Sequence, residues 1–296
     1  MLVMRSLIFV PANRPNMVQR AHGLAADVIV LDLEDSVPPA EKEAARSGLR
    51  EAIASLKAAG RQVHVRVNHM ETGLTRDDLA AAVCPELDGI VLPKAESGRD
   101  ARQIDVLIRE QEMRNGVQPG TPALLPHVET ARGLLRCEEV ATASTRISAM
   151  SIGGYDYVTD LGIDRTRAGL ELDYARNILV HVCIAHGLLP LDAVFGDFRD
   201  TEGLAAEAAH VKAMGMKGKY VIHPDQVEAV NRVFQPAEAE VAEARRIIEA
   251  FEAAVAQGHA SVQLDGRMID TPVWKRAQDI VTYAEAVQRG QGTSNG

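Results

Sequence analysis

Eight short apolar runs rich in β-formers, each followed by a stretch suited to helix, constrain this chain more than any other feature. They fall at residues 6–11, 28–36, 63–68, 89–95, 123–130, 147–154, 189–198 and 219–224, with Ala-, Glu- and Arg-rich segments such as 41–59 and 204–214 between them. Such alternation predicts parallel strands, because joining a parallel pair needs a crossover and a helix supplies it. Eight repeats exceed an open sheet of five or six strands and predict a closed (β/α)8 TIM barrel.

Polarity within the runs indicates which face lies inside. Val63, Val65 and Val67 alternate with His64, Arg66 and Asn68, and Ile29, Leu31 and Leu33 alternate with Asp32 and Glu34. Successive strand side chains point to opposite faces, so the apolar set is predicted to meet the outer helices and the polar set to face inward. The inward polar groups fall toward the C-terminal ends of the strands, the rim on which barrel enzymes build their sites.

Beyond the eighth run the pattern changes. Residues 236–257 read as a long amphipathic helix stopped by Gly258, Asp265-Gly266 as a hairpin turn between 260–264 and 267–269, and 272–287 as a last helix. The expected organisation is a catalytic barrel over 1–235, a helix-hairpin-helix extension and lid over 236–289, and a disordered tail over 290–296.

A formal charge of −9 argues against nucleic acid as a partner, since neutralising phosphates takes a dense basic face. An anionic ligand must be met locally, and the acid-free stretch 1–26 offers Arg5, Arg14 and Arg20, which can equally be solvated surface arginines. Cys84, Cys137 and Cys183 have no C-x-x-C spacing, which fits free thiols in a reducing cytoplasm. The apolar stretch ending at Pro11 is too short for a signal-peptide core, and no run is long enough to span a bilayer. A cytoplasmic protein without a membrane partner is expected.

Glu129 and Asp156 each follow an apolar run, at a separation that suits consecutive strands of a barrel. Carboxylates at neighbouring strand ends can hold one hard dication with water and substrate completing its shell, which suits Mg²⁺ better than Zn²⁺. The competing reading for each is a helix cap or a surface charge. Arg66 faces the same opening, either to stabilise an enolate oxygen or to form a buried ion pair with Glu34 or Asp35. His127 and His223 lie at strand ends and read as wall residues more readily than as zinc ligands. Asp270, read from its surroundings alone, is an N-cap of the final helix. No G-x-G-x-x-G, Walker loop or G-x-S-x-G occurs, so dinucleotide, nucleotide-hydrolase and serine-hydrolase chemistry lose support.

Phe9-Val10-Pro11 with Arg14, Leu31-Asp32-Leu33-Glu34-Asp35-Ser36-Val37, Lys42 with Arg46, Arg66-Val67-Asn68, Leu92-Pro93-Lys94, Val128-Glu129-Thr130-Ala131-Arg132-Gly133, Asp156 with Asp160-Leu161-Gly162, and Ile222-His223-Pro224 together carry a resemblance. In this order and spacing the chain resembles the citrate lyase β-subunit-like proteins, CoA-ester lyases of the aldolase superfamily that includes the malyl-CoA and citramalyl-CoA lyases. The likeness runs from about residue 5 to 287. It implies a Mg²⁺-dependent enzyme that makes or breaks the carbon–carbon bond between an acyl-CoA, such as acetyl-CoA or propionyl-CoA, and a 2-oxo acid. Malyl-CoA, citramalyl-CoA and citryl-CoA are the implied substrate types.

By the same resemblance Glu129 and Asp156 are the metal ligands, and Arg66 stabilises the reacting oxygens. Arg14, Lys42 and Arg46 meet the CoA phosphates. Gly266-Arg267-Met268-Ile269-Asp270-Thr271-Pro272 matches a family lid that closes over a neighbouring subunit, making Asp270 the acid/base in trans and the protein a homo-oligomer, a trimer or hexamer. Tyr155 departs from the smaller or acidic residue of the family pattern and bears on the oxo-acid pocket. Two alternatives remain: a class II-type aldolase acting on free hydroxy-oxo acids, and a non-catalytic CoA-ester-binding subunit of a lyase complex.

Overall fold

Eight short parallel strands pair in chain order and close on themselves: β1 (Ser6–Pro11), β2 (Val28–Asp32), β3 (Gln62–Arg66), β4 (Gly89–Leu92), β5 (Ala123–Val128), β6 (Ala149–Ile152), β7 (Leu189–Asp192) and β8 (Gly218–Val221). The last strand returns to the first, with Ser6, Leu7 and Ile8 in register with Lys219, Tyr220 and Val221. This is a (β/α)8 TIM barrel. The computed structural model describes residues 2–292.

Two apolar sets hold the barrel together. Leu7, Val28, Val30, Val91, Leu125, Ala149, Leu191 and Tyr220 fill its axis. Ile29, Leu31, Val63, Val65 and Ile90 belong to the larger core under the surrounding helices. The period-two alternation in β2 therefore sorts its side chains as the sequence implies.

Seven of the eight strands stop two or more residues before their apolar runs do, for a reason visible after β2. There the Asp32 carboxylate accepts the backbone N–H groups of Glu34 at 2.9 Å and Ser36 at 3.1 Å, turning the chain out of the ladder. Polar groups past the strand ends are thus freed to build a rim. The helix expected over 41–59 is divided at Gly48 into Lys42–Ser47 and Leu49–Ala58.

A second ionic feature lies on the outer face of β7 and β8. Asp192 accepts from Arg176 Nε at 2.8 Å and from Lys219 Nζ at 2.5 Å. Lys219 also reaches Glu207 at 2.6 Å, and Arg165 joins Glu207 to Glu171. Arg176, Asp192 and Lys219 are all fully buried, and each charge has an opposite neighbour.

The chain divides into two units, Met4–Phe234 and a second that runs from Gln235 and takes in residues 2 and 3. In the second, the helices Glu238–Ala256 and Thr271–Gly292 pack on each other, with the Phe251 and Trp274 rings stacked at 5.5 Å. Between them β9 (Val262–Leu264) and β10 (Arg267–Ile269) form an antiparallel hairpin. Its turn residues Asp265 and Gly266 both have positive φ, 49° and 80°, as a type I′ turn requires. The tail expected from 290 is corrected in part: helix continues through Gly292, and 293–296 lie outside the described residues. Among the described residues no helix is long and apolar enough to cross a membrane.

Candidate active site

Acidic and basic groups from consecutive strand ends converge at the C-terminal mouth of the barrel. Arg66, the last residue of β3, is held by Asp32, the last residue of β2, through two parallel bonds of 2.7 Å. Its remaining nitrogen lies 3.0 Å from Glu34 and 3.6 Å from Asp35, and its guanidinium covers the Phe9 ring at 4.4 Å. Burial opposes its charge, but Asp32 above all, with Glu34 and Asp35, outweighs burial and raises its pKa. Arg66 stays cationic and fixed in direction.

Lys94 follows β4 in a left-handed conformation, φ 50°, uncommon for a residue with a side chain. Its ammonium bridges Glu34 at 3.2 Å and Asp156 at 3.3 Å. Partial burial lowers the Lys94 pKa, yet Glu34, Asp156 and Glu129 together raise it. Asp156 stands in the first turn of the helix Gly154–Asp160, just past β6.

Glu129 comes one residue past β5 and is 3% exposed. Its Oε1 is 3.3 Å from His127 Nδ1, while its Oε2 is buried with no hydrogen-bond partner. Burial, and after it the charge of Asp156, pushes the Glu129 carboxyl up to about 7. Glu34 is likewise raised to about 7 by burial, with repulsion from Glu129 and Asp35 set against attraction from Arg66. A Cβ on Gly153 would collide with the Glu129 carboxylate, so that glycine lets the chain from β6 pass directly over it. His127 is pushed down to about 3, first by burial and then by the Arg66 cation.

Asp32, Glu34, Asp35, Glu129 and Asp156 thus share Arg66 and Lys94, and Lys42 adds its charge only toward Asp32, Glu34 and Asp35, away from Glu129 and Asp156. An excess of acid with one buried, unpartnered carboxylate oxygen is what a bound dication would satisfy. Among the described residues no group of three or more His, Cys, Asp and Glu converges as a cage. The pair Glu129 and Asp156 fits an oxygen-ligated ion whose other positions go to water and substrate.

Of the residues singled out in the sequence, the structure brings Arg66, Glu129 and Asp156 to one mouth. Glu34 joins them as the ion-pair partner of Arg66 that the sequence offered, and Asp32 and Lys94 join without having been assigned a role from sequence. The basic residues expected near CoA are differently placed. Lys42 donates to the carbonyls of Leu33 at 2.7 Å and Glu34 at 2.9 Å, and Arg46 pairs with the buried Asp78 at 3.0 Å. Arg5 is buried against Asp27, which corrects its reading as an anion-binding group. Arg14 is half exposed, with Glu41 3.7 Å away. His223 stacks on Phe198 at 4.4 Å and shares no partner with His127. Asp270, in the second unit, accepts the Val273 N–H at 3.2 Å and heads the helix Thr271–Gly292.

Comparison with known proteins then decides the family. The HpcH/HpaI aldolase/citrate lyase model matches residues 5–224. The chain belongs to the HpcH/HpaI aldolase/citrate lyase family.

Its family relatives match over nearly their whole length. The citrate lyase subunit beta of Leuconostoc mesenteroides subsp. cremoris is 36% identical over 282 residues, covering 95% of this chain and 93% of the relative. The L-malyl-CoA/beta-methylmalyl-CoA lyase of Cereibacter sphaeroides is also 36% identical, covering 96% and 95%. Among solved structures of the family, the CitE protein of Mycobacterium tuberculosis in complex with magnesium, acetoacetate and coenzyme A superimposes with a TM-score of 0.77. It is 30% identical and covers 96% of this chain and 98% of that one.

Proposed function

We propose that this protein is a Mg²⁺-dependent CoA-ester lyase, which makes or breaks the carbon–carbon bond between an acyl-CoA and a 2-oxo acid. The observation that carries the reading is Glu129, a buried carboxylate with a free oxygen, placed with Asp156, Lys94 and Arg66 at the mouth of a barrel of this family. The relatives' activities support it: one is named a citrate lyase subunit and another a malyl-CoA lyase. The CitE structure, which holds magnesium and coenzyme A, supports the choice of ion and thioester.

Glu129 and Asp156 would hold the ion, which when bound supplies a Lewis acid for the oxygens of the oxo-acid half. The chain's own groups carry the rest. In cleavage the substrate hydroxyl gives its proton to solvent at the open mouth and its oxygen becomes the carbonyl of the 2-oxo acid, while the electron pair of the carbon–carbon bond moves into the thioester as an enolate. Arg66, fixed by Asp32, offers an unchanging positive charge to the enolate oxygen that results. A proton returns to the α-carbon from an acid, the role assigned to Asp270 of a neighbouring subunit in a homo-oligomer, either a trimer or a hexamer. Lys94 draws Glu34 and Asp156 to itself, offsetting their mutual repulsion, and adds positive charge at the opening. Arg14 is the exposed candidate for a CoA phosphate, and the cytoplasm suits the three buried free thiols.

Purified protein incubated with malyl-CoA, citramalyl-CoA and citryl-CoA tests the reading. Release of acetyl-CoA that requires Mg²⁺ and disappears in Asp270→Ala is expected. No release from any thioester, with the fold intact, would overturn it. A second reading, an aldolase acting on free hydroxy-oxo acids, draws on the internal engagement of Lys42 and Arg46, which leaves less positive charge for CoA. The lyase reading expects Arg14→Ala to raise KM for the thioester by a few fold, about the value of an exposed ion pair. An unchanged KM together with turnover of CoA-free acids would favour the aldolase.

A further inference from the structure

Tyr155 is not used in the chemistry above, yet it has an unusual setting. It precedes Asp156 directly, and its ring is 46% exposed, whereas Tyr157, two residues on in the same short helix, is 4% exposed and belongs to the core. The helix thus turns Tyr157 and Val158 inward and leaves Tyr155 exposed at the C-terminal rim, where its ring meets Gly196 in the segment after β7.

The ring has a fitted seat. A Cβ built on Gly196 would overlap the Tyr155 hydroxyl and lie 2.9 Å from its Cζ, so the phenol occupies the space that a side chain at 196 would need. One residue earlier, a Cβ on Gly154 would come within 2.9 Å of the Ala193 Cβ. The start of this helix therefore lies flush on the segment that follows β7.

That segment is held firmly. The side chain of Gln226, fully buried, donates to the Phe195 carbonyl at 2.8 Å and accepts from the N–H groups of Ile222 at 2.9 Å and His223 at 3.2 Å. Gly196 is consequently a fixed backstop rather than a loop that yields, and the ring resting on it has a defined position.

We propose that Tyr155, seated on Gly196, is a specificity-determining wall of the opening that limits the size of the oxo-acid half of the substrate. The inference rests on the lyase reading for the identity of that acid. A rigid aromatic ring on the residue before Asp156 excludes bulk by its volume, and its hydroxyl serves to fill the Gly196 hollow. Small acids of the glyoxylate and pyruvate type fit under such a wall; an oxaloacetate-type acid, longer by a carboxylate-bearing carbon, meets it.

Two measurements on the Mg²⁺-loaded protein test the wall, one of them without turnover. Affinities for glyoxylate, pyruvate and oxaloacetate are measured by calorimetry, and kcat/KM is compared for malyl-CoA and citryl-CoA. Tyr155→Ala is expected to shift both preferences toward the larger acid by about tenfold, the scale of a lost steric contact in a pocket. Tyr155→Phe, which keeps the ring, should hold the wild-type ratio within about twofold on that scale.

Gly196→Ala supplies the control that a general loss of stability cannot mimic. It should alter the ratio in the wild-type background by displacing the ring, and leave it unaltered in Tyr155→Ala, where there is no ring to displace. Parallel changes for all acids in Tyr155→Ala, or an equal effect of Gly196→Ala in both backgrounds, would overturn the wall. Cleavage of no thioester but selective, Tyr155-dependent binding of the acids would sink the lyase reading and leave the wall standing. A protein that binds none of the three acids would overturn both.

Discussion

The barrel carries two ionic clusters of opposite design. On the outside of β7 and β8, Arg165, Arg176 and Lys219 interlock with Glu171, Asp192 and Glu207, and each charge is met by an opposite one. At the mouth, five carboxylates share Arg66 and Lys94, Glu129 keeps a buried oxygen without a partner, and two carboxyls are pushed up to about 7. Both clusters are largely buried, so burial alone does not mark function. The difference is charge balance: a network whose cations match its carboxylates fixes structure, even with Arg165 Nε left without a hydrogen bond, while an acid-rich one with a free carboxylate oxygen is ready for a cation the chain does not itself supply.

The sharpest way to break this contrast is to remove one charge from each cluster. Asp192→Asn leaves Arg176 and Lys219 buried with only part of their compensation. It is expected to cost about 3–5 kcal/mol of stability, read as a lowered denaturation midpoint, with turnover preserved at permissive temperature. A variant as stable as the wild type would show that the outer network is no structural pin. Arg66→Ala acts on the mouth. The loss of one fixed positive group from the reacting oxygens is expected to lower kcat by roughly 10²–10³. A full-rate Arg66→Ala enzyme would remove Arg66 from the mechanism.

Acid titration sharpens the comparison further. The Asp192 carboxyl is buried, which alone would raise its pKa, but Lys219 and then Arg176 lower it from 3.8 to about 2. A carboxylate with a depressed folded pKa contributes stability above its unfolded value and loses it as pH falls through the folded one. The wild type should therefore lose this contribution between roughly pH 4 and pH 2, and Asp192→Asn should lack that component of the acid transition. Identical acid transitions in the two proteins would refute the assignment.

The smallest effect has the opposite sign. Glu129→Gln removes a buried charge that burial and Asp156 both disfavour. Without added metal the variant is expected to melt a few degrees higher, for a gain of about 1 kcal/mol. A lower melting point would mean that Glu129 is satisfied without an ion.

Much of this was legible from alternation alone. The valines of β3 and the Ile29/Leu31/Leu33 set in and after β2 showed the barrel's two faces, and with them the inward course of Asp32, Glu34 and Arg66. Of the two choices for Arg66, the ion pair is present, to Glu34 and Asp35 as expected and most closely to Asp32, which alternation left unnamed as a partner. Lys94 was quoted in a motif but given no task, because nothing in Leu92-Pro93-Lys94 reveals a left-handed backbone that swings the ammonium between Glu34 and Asp156.

The positions of Lys42 and Arg46 were hidden for a related reason. Their partners are two carbonyls and an aspartate 32 residues away, and a helical stretch rich in charge does not show which of its cations turn inward. The outer network escaped notice because Asp192 and Lys219 occupy single outward positions of short strands. In a pattern read for apolar residues such positions look like solvent. Asp270 was legible both as a helix cap and, through resemblance, as an acid/base, and the first of these describes its contacts in the second unit.

Titration of metal-free protein with Mg²⁺ by calorimetry, in wild type and in Glu129→Gln, examines the central assignment most directly. One saturable site in the wild type that vanishes in the variant is the expected result. Equal binding by both proteins would show that the ion, and the chemistry built on it, belongs somewhere other than the Glu129–Asp156 pair.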